Sequence, residues 1–495
     1  METIPHLING AKVPSTSGRT SPVFNPATGE QTAELGLADI AEVDSAVAAA
    51  KAAFDEWRQF SIAKRTALMF NFRNLVVENT AEIARRLTLE HGKVLSDAAG
   101  EVARGIENIE YACGIAEHLK GTYNENASTG VDVYSVRQPL GVVAGITPFN
   151  FPVMVPLWTI PNAIACGNTY ILKPSERDPS APMFLAELFH EAGFPDGVLN
   201  VLHGDKVAVD RLLEHPDVKA ASFVGSTPIA KYVYETGTGH GKRVQALGGA
   251  KNHMLVLPDA DLNLAADAAV SAAYGSAGER CMAISVVAAV GEIADPLIEA
   301  ISDRMAKLTI GDGTDPDSEM GPLVTKEHRD RVAGYIETGG NEGATVVVDG
   351  REQSFDGDGY FLGVTLLDNV TADMDVYKDE IFGPVLSIVR CDTYAEARDL
   401  IANNQYGNGA AIFTRDGGAA RDFQETADAG MVGINVPIPV PVGYHSFGGW
   451  KDSLFGDTTM YGPEGVRFFT RNKVLTSRWP DPATSTVDLG FPTNG

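Results

Sequence analysis

The sequence predicts an α/β protein with a doubly wound, mainly parallel sheet, a second α/β unit and a small β arm. Three observations carry this. Beyond Gly141, short apolar runs alternate with helical runs, the pattern of βαβ units that build a parallel sheet. Beyond Lys251 a second alternation begins with a fresh set of apolar strands. Between the early helices and the first sheet, "GTYNENASTGVDVYSVRQPLG" (Gly121–Gly141) is a polar hairpin with apolar Val131, Val133 and Val136.

Each element follows in order. The chain to about Glu30 reads as short strands and turns. From about Ile40 to Lys120 it is helical by period: "DIAEVDSAVAAAKAAFDEW" opens with an acidic first turn and then repeats apolar residues at helix spacing, and "EVARGIENIEYACGIAEHL" does the same. The hairpin is either an assembly arm or a surface excursion. Strands of the first sheet are expected at "GVVAGIT", "TYILKPS", "VLNVLHG", "ASFVGS" and "RVQALGG", with helices such as "APMFLAELFHEAG" and "KVAVDRLLEH" between them. "HMLVLPDADL", "AISVVAAVG", "PLIEAISDRMAKL" and "GPVLSIVRC" form the second series. The closing "GVRFFTRNKVLTSRW" alternates again and suits pairing with the hairpin. The resulting division is 1–120 with 141–250 for the first domain, 251–440 for the second, 121–140 with 465–485 for the arm, and 441–464 as a return segment to the first domain.

The chain has 495 residues and a formal charge of −26. No basic stripe offers itself to nucleic acid or an anionic membrane. Such acidity suits solubility, for example in a salty cytoplasm, and any anionic ligand must be held locally by Arg, Lys or backbone N–H groups. The four cysteines, Cys113, Cys166, Cys281 and Cys391, form no CxxC pair, and the histidines show no HExxH spacing. A disulfide framework, a structural zinc site and a metal hydrolase are therefore disfavoured. "METIPHLING" has no signal-peptide pattern, so a cytoplasmic location is expected. The charge-free run Gln138–Leu172 is long enough to span a membrane. Its five prolines argue instead for a buried strand, turn and helix.

Several strand ends carry chemistry. No GxGxxG stands between a strand and a helix; "GTGHGK" (Gly237–Lys242) precedes a strand and reads as a loop. "ILKPSE" puts Lys173 and Glu176 past a strand, either as a grip on ribose hydroxyls or as a surface ion pair. In "FVGSTPIA", Ser226 or Thr227 caps a helix whose free N–H groups suit a pyrophosphate. "ITPFNFP" sets Asn150 between two Phe, as an oxyanion donor or a turn asparagine. "GSAGERCMA" holds Cys281 among small residues beside Arg280, which suits a nucleophile with a stabilised thiolate; a plain buried thiol is the alternative.

Taken together, "PFNFP", "KPSE", "FVGST", "LGG", "GERC", "EIFGPV" and "FGGWKDS" resemble the aldehyde dehydrogenase superfamily, in its order and spacing over nearly the whole chain. The resemblance implies a modified Rossmann NAD-binding domain, an α/β catalytic domain and a small β oligomerisation arm. It implies Cys281 as nucleophile and Asn150 as oxyanion donor, with the Cys281 N–H as second donor. The NAD-binding set carries over to Thr147, Phe149, Lys173, Glu176, Arg177, Ser226, Gly248, Glu380 and Phe382. Glu176 would repel a 2′-phosphate, which favours NAD over NADP. A homo-oligomer, dimer or tetramer, is expected.

One position departs from the pattern. Hydrolytic members carry a Glu immediately before "LGG" as the base that activates water; this chain has Ala246. An alanine cannot accept a proton, and general-base help is worth about 10²–10⁴-fold. A thiol needs less help than water, so coenzyme A becomes the expected acyl acceptor unless Glu279 or Glu380 supplies the base. "ALGGAKNH", "GERCMA" and "EVARGIENIEY" further resemble the coenzyme-A-acylating methylmalonate-semialdehyde dehydrogenases. That likeness implies Arg104 and Arg280 as holders of a substrate carboxylate. A helix-surface pair of Arg104 with Glu101 or Glu107 is the alternative for one, thiolate stabilisation for the other.

Overall fold

Strands in the middle of the chain are continuous apolar runs because both of their faces are covered. Val142–Ile146 and Thr169–Lys173 are buried at every position, as parallel strands between helix layers must be. The computed structural model describes residues 2–483 together with Val487, Leu489 and Gly490. Thr484 and Ser485, at the end of the expected arm segment, lie outside the described residues.

The first sheet has eight strands in the order 454–455, 243–247, 218–224, 142–146, 169–173, 199–201, 6–8 and 11–13. Its five central strands, from 243–247 to 199–201, are parallel, and the short flanking strands pair antiparallel. The chain runs outward from Val142–Ile146 through Thr169–Lys173 to Leu199–Val201. It then crosses to the other side for Val218–Val224 and Arg243–Leu247. The switch point therefore lies between Val142–Ile146 and Val218–Val224, and a crevice beyond the carboxyl ends of such strands is where ligands bind.

The second sheet has seven strands in the order 345–348, 365–368, 385–391, 284–290, 252–256, 409–413 and 431–434. All neighbours are parallel except the first pair. Met254, Leu255, Val256, Val286, Val287 and Leu367 lie in its core. A third sheet joins Tyr123–Ser128, Val131–Pro139 and Thr470–Arg478. The last two pair along their whole length, Thr470 with Pro139 through Arg478 with Val131, which is the pairing expected of the closing stretch with the hairpin.

One local expectation holds and another needs correction. The charge-free run folds as the expected buried strand, turn and helix, followed by a second strand, and its helix Met154–Ala165 carries Pro161 in its interior. Proline removes one bond to the preceding turn. Burial of all 12 helix residues outweighs that loss, so the prolines exclude a membrane-length helix without excluding a short one. None of the described helices is long and apolar enough to cross a membrane. "GTGHGK" is not wholly loop: Gly237–Gly239 closes the helix Thr227–Gly239. Lys242 behind it is buried, with its ammonium on the carbonyls of His215 and Val218.

Candidate active site

The two large sheets meet at Gly248–Lys251, and a cleft of about 1010 Å³ opens there at the switch point. Thr147, Phe149 and Asn150 reach it from the end of Val142–Ile146; Lys173, Glu176 and Arg177 come from the next strand. Ser226 and Gly248 follow from the other side of the switch, and Cys281, Glu380 and Phe382 close it from the second sheet. Arg280 and Arg104 stand outside this cleft.

Cys281 precedes the strand Ile284–Val290. The turn leading to it places Ser276 (φ 55°) and Ala277 (φ 52°) in the left-handed region, which costs L-residues about 1–2 kcal/mol each. Gly278 continues the turn at φ 75°, where a Cβ would lie 2.2 Å from the Gly383 carbonyl oxygen. Side-chain amides of Asn252 and Asn408 donate to the Cys281 carbonyl at 2.9 and 3.0 Å. This fixes the backbone of Cys281 and leaves its sulfur between the cleft and an apolar group containing Phe151, Trp158, Phe447 and Tyr461. The Asn150 amide donates to the Glu279 carbonyl at 3.0 Å; an amide NH₂ has two donors, so one remains available.

A lone cysteine beside an asparagine amide, at the switch point of a doubly wound sheet, agrees with the sequence pattern of the aldehyde dehydrogenase family, which matches residues 12–475. The chain belongs to the aldehyde dehydrogenase family. It is 58% identical over 487 residues to the malonate-semialdehyde dehydrogenase of Pseudomonas aeruginosa, covering 98% of each chain. It is 51% identical to that of Halalkalibacterium halodurans, covering 97% of this chain and 99% of the other. Among solved structures, a Sinorhizobium meliloti protein assigned as a methylmalonate-semialdehyde dehydrogenase, complexed with NAD, superposes with a TM-score of 0.97 at 53% identity, covering 98% of this chain and 99% of that one. Methylmalonate-semialdehyde dehydrogenase from Oceanimonas doudoroffii gives 0.96 at 55%, with the same coverage.

Electrostatics in this aldehyde dehydrogenase pull Cys281 in two directions. Burial, and then the Glu380 charge, push the Cys281 thiol up to about 12; Arg280 lowers it by less. Arg280 favours the thiolate, as its place beside Cys281 in the sequence suggests, but by less than burial opposes it. Arg280 is engaged by Asp97 at 2.7 Å, and it packs over Gly275, where a Cβ would lie 2.5 Å from its Nη1. Arg104 pairs with Glu107 at 2.8 Å and donates to the Pro441 carbonyl at 2.7 Å. The surface-pair alternative for Arg104 thus describes its present contacts, with Glu107 and not Glu101 as partner.

The other groups hold one another. Lys173 lies 3.2 Å from Glu176. Burial raises the Glu176 carboxyl, but Lys173, backbone N–H and Arg177 together bring it below its ordinary value. Arg177 lies over the Phe149 ring at 5.0 Å, and Phe382 meets the same ring edge-on. Glu380 accepts the Ala250 N–H at 2.9 Å; burial raises its carboxyl to about 7 despite that bond and Lys251. Ser226 occupies the helix N-cap, yet neither expected cap forms. Ser226 makes no side-chain capping bond, and Thr227 Oγ1 instead accepts the Gly249 N–H at 2.8 Å. Pro228 also removes one of the N–H groups expected at that terminus.

Ala246 is fully buried among Ile146, Phe223 and Val244. Glu279 is buried too, its carboxyl raised to about 8 chiefly by burial and placed 3.5 Å from His328 and 3.8 Å from His91. Sequence reasoning missed His328 and Arg331, which line the cleft, and the anchoring amides of Asn252 and Asn408. It also missed Lys93, and it named Glu101 only as an alternative partner of Arg104. Lys93 follows "LEHG" with no strand end or motif to mark it; a buried lysine is visible only once the fold is known.

Proposed function

We propose that the protein oxidises malonate semialdehyde or methylmalonate semialdehyde with NAD and transfers the acyl group to coenzyme A, releasing CO₂ and acetyl- or propionyl-coenzyme A. The observation that carries the acylating reading is Ala246, sealed in an apolar cluster where hydrolytic relatives need a carboxylate. Likeness to malonate- and methylmalonate-semialdehyde dehydrogenases supports the substrate.

The cleft suits a dinucleotide. It has room for one, a helix N-terminus with an uncommitted cap side chain, and Lys173 beside Glu176 at a strand end. Lys173 and Glu176 would hold the adenosine ribose, with Ser226 near the pyrophosphate and Glu380 and Phe382 at the nicotinamide ribose. Thr147, Phe149, Arg177 and Gly248 complete the walls. NAD supplies the hydride acceptor.

The chain's own residues do the rest. Cys281 reacts as its thiolate, the thiol proton passing to water in the open cleft; the sulfur forms a bond to the aldehyde carbon, and the carbonyl π pair moves to oxygen. The free N–H of Asn150 and the N–H of Cys281 hold that oxyanion; one such donor is worth about 2.7–4 kcal/mol. Loss of hydride re-forms the carbonyl as a thioester. The C–C bond to the β-carboxylate then breaks, CO₂ leaves, and the electron pair stays on the α-carbon until a proton arrives. The coenzyme A thiolate attacks the carbonyl and Cys281 departs. Arg104 and Arg280 hold the substrate carboxylate before that bond breaks. Arg280 has donors beyond the one given to Asp97.

The test is NADH formation from malonate semialdehyde with and without coenzyme A, with product identification. Turnover that needs coenzyme A and yields acetyl-coenzyme A is expected. Equal turnover without it, giving free acid, would overturn the acylating reading and point to Glu279 or Glu380 as a water-activating base.

A further inference from the structure

We propose that the buried ion pair Lys93–Glu101 positions Asn150 for its work on the oxyanion. The two side chains meet at 2.6 Å and both are wholly shielded from solvent. Isolating two charges from water is costly unless their remaining donors and acceptors are used. Here those contacts converge on one short segment. Lys93 Nζ donates to the Asn150 carbonyl at 2.7 Å and lies 4.5 Å from the centre of the Phe151 ring. Glu101 Oε1 accepts the N–H groups of Val153 and Met154 at 2.8 and 3.0 Å. The pair thus grips Asn150–Met154 through its backbone, while the Asn150 side chain is fixed separately by the Glu279 carbonyl. Two anchors from different elements determine where the remaining N–H points. A shift of about 1 Å at such a donor can cost about a hundredfold.

This proposal rests on the reading of Asn150 as oxyanion donor, so the experiment separates the two. Single-turnover NADH formation, aldehyde KM and the rate of Cys281 alkylation by iodoacetamide are measured for Lys93→Met, Asn150→Ala and the double variant. Lys93→Met should slow hydride transfer by about tenfold to a hundredfold, with KM and alkylation unchanged. It should cost nothing further in the Asn150→Ala background. Equal losses in both backgrounds would overturn the positioning role while leaving Asn150 as the donor. Asn150→Ala without effect on hydride transfer would overturn both readings. Should Lys93→Met fail to fold, Glu101→Gln keeps the shape and accepts the same N–H groups, and the same dependence on Asn150 is required of it.

Discussion

In the cofactor-free enzyme Cys281 should alkylate slowly at neutral pH, and its rate should still be climbing at pH 9. The thiolate is the reacting form, and burial with the Glu380 charge pushes the thiol to about 12. At pH 8 roughly one molecule in ten thousand then carries a thiolate, against about a quarter for a thiol at its ordinary pKa near 8.5. At pH 8 the rate should lie about three orders of magnitude below that of a free thiol, and above the Glu380 titration near 7 it should rise about tenfold per pH unit. Iodoacetamide labelling from pH 6 to 9.5, followed on the Cys281 peptide by mass spectrometry, measures this directly. Glu380 adds an internal control. Its own carboxyl titrates near 7, so it is anionic at pH 9 and protonated at pH 5.5. Glu380→Gln should therefore speed labelling at pH 9 and leave it unchanged at pH 5.5. A rate that levels off below pH 8 would refute the argument that burial governs this thiol.

Three further outcomes follow from contacts already described. In Gly249→Ala the new Cβ would fall 2.4 Å from Glu380 Oε2, so the carboxylate must move, and NAD affinity in a titration should drop about tenfold or more, as for loss of a bond to a charged group. Arg280→Ala and Arg104→Ala should each raise KM for malonate semialdehyde by about tenfold or more and leave propanal oxidation nearly unchanged; equal losses on both substrates would remove the carboxylate clamp. Val474 and Trp479 are exposed at 63% and 89% on and beside the outer strand of the three-stranded sheet. If that sheet is an assembly arm, Val474→Asp should shift the sedimentation coefficient toward the monomer, and an unchanged value would leave the arm as a surface excursion.

The fold was legible because its evidence is periodic. Alternation of apolar runs and helical runs marked both sheets, and the residues at the strand ends, Lys173, Glu176, Ser226 and Asn150, arrive in one cleft because parallel strands all present their carboxyl ends on one side. What the sequence hid are groups whose meaning is set by burial. Along the helix Leu95–Cys113, Asp97, Glu101 and Arg104 recur at spacings of four and three, which put them on one face; in sequence only Arg104 stands out, through the resemblance, with a surface pair to Glu101 or Glu107 as its alternative. In the fold the same face meets Arg280, the Asn150 loop and the Pro441 carbonyl. The Cys281 thiol shows the same division: the favourable effect of adjacent Arg280 is visible in sequence, while the larger opposing effect of burial is not.

Net charge and local charge oppose each other in this protein, and that conflict can be measured. At −26 the chain repels an anionic aldehyde at long range, whereas the proposed clamp of Arg104 and Arg280 would attract it at contact. Salt screens the two differently. The Debye length falls from about 10 Å at 0.1 M to about 3 Å at 1 M, so added salt removes the distant repulsion first and barely touches charge pairs made by direct hydrogen bonds. Both arginines are already paired, with Asp97 and Glu107, which further shortens the reach of their attraction. KM for malonate semialdehyde should therefore fall as KCl rises over this range, while KM for propanal, which carries no charge, stays flat. A KM for the semialdehyde that rises with salt, with propanal flat, would mean that the arginines act at a distance and that the acidic surface plays no part in substrate capture.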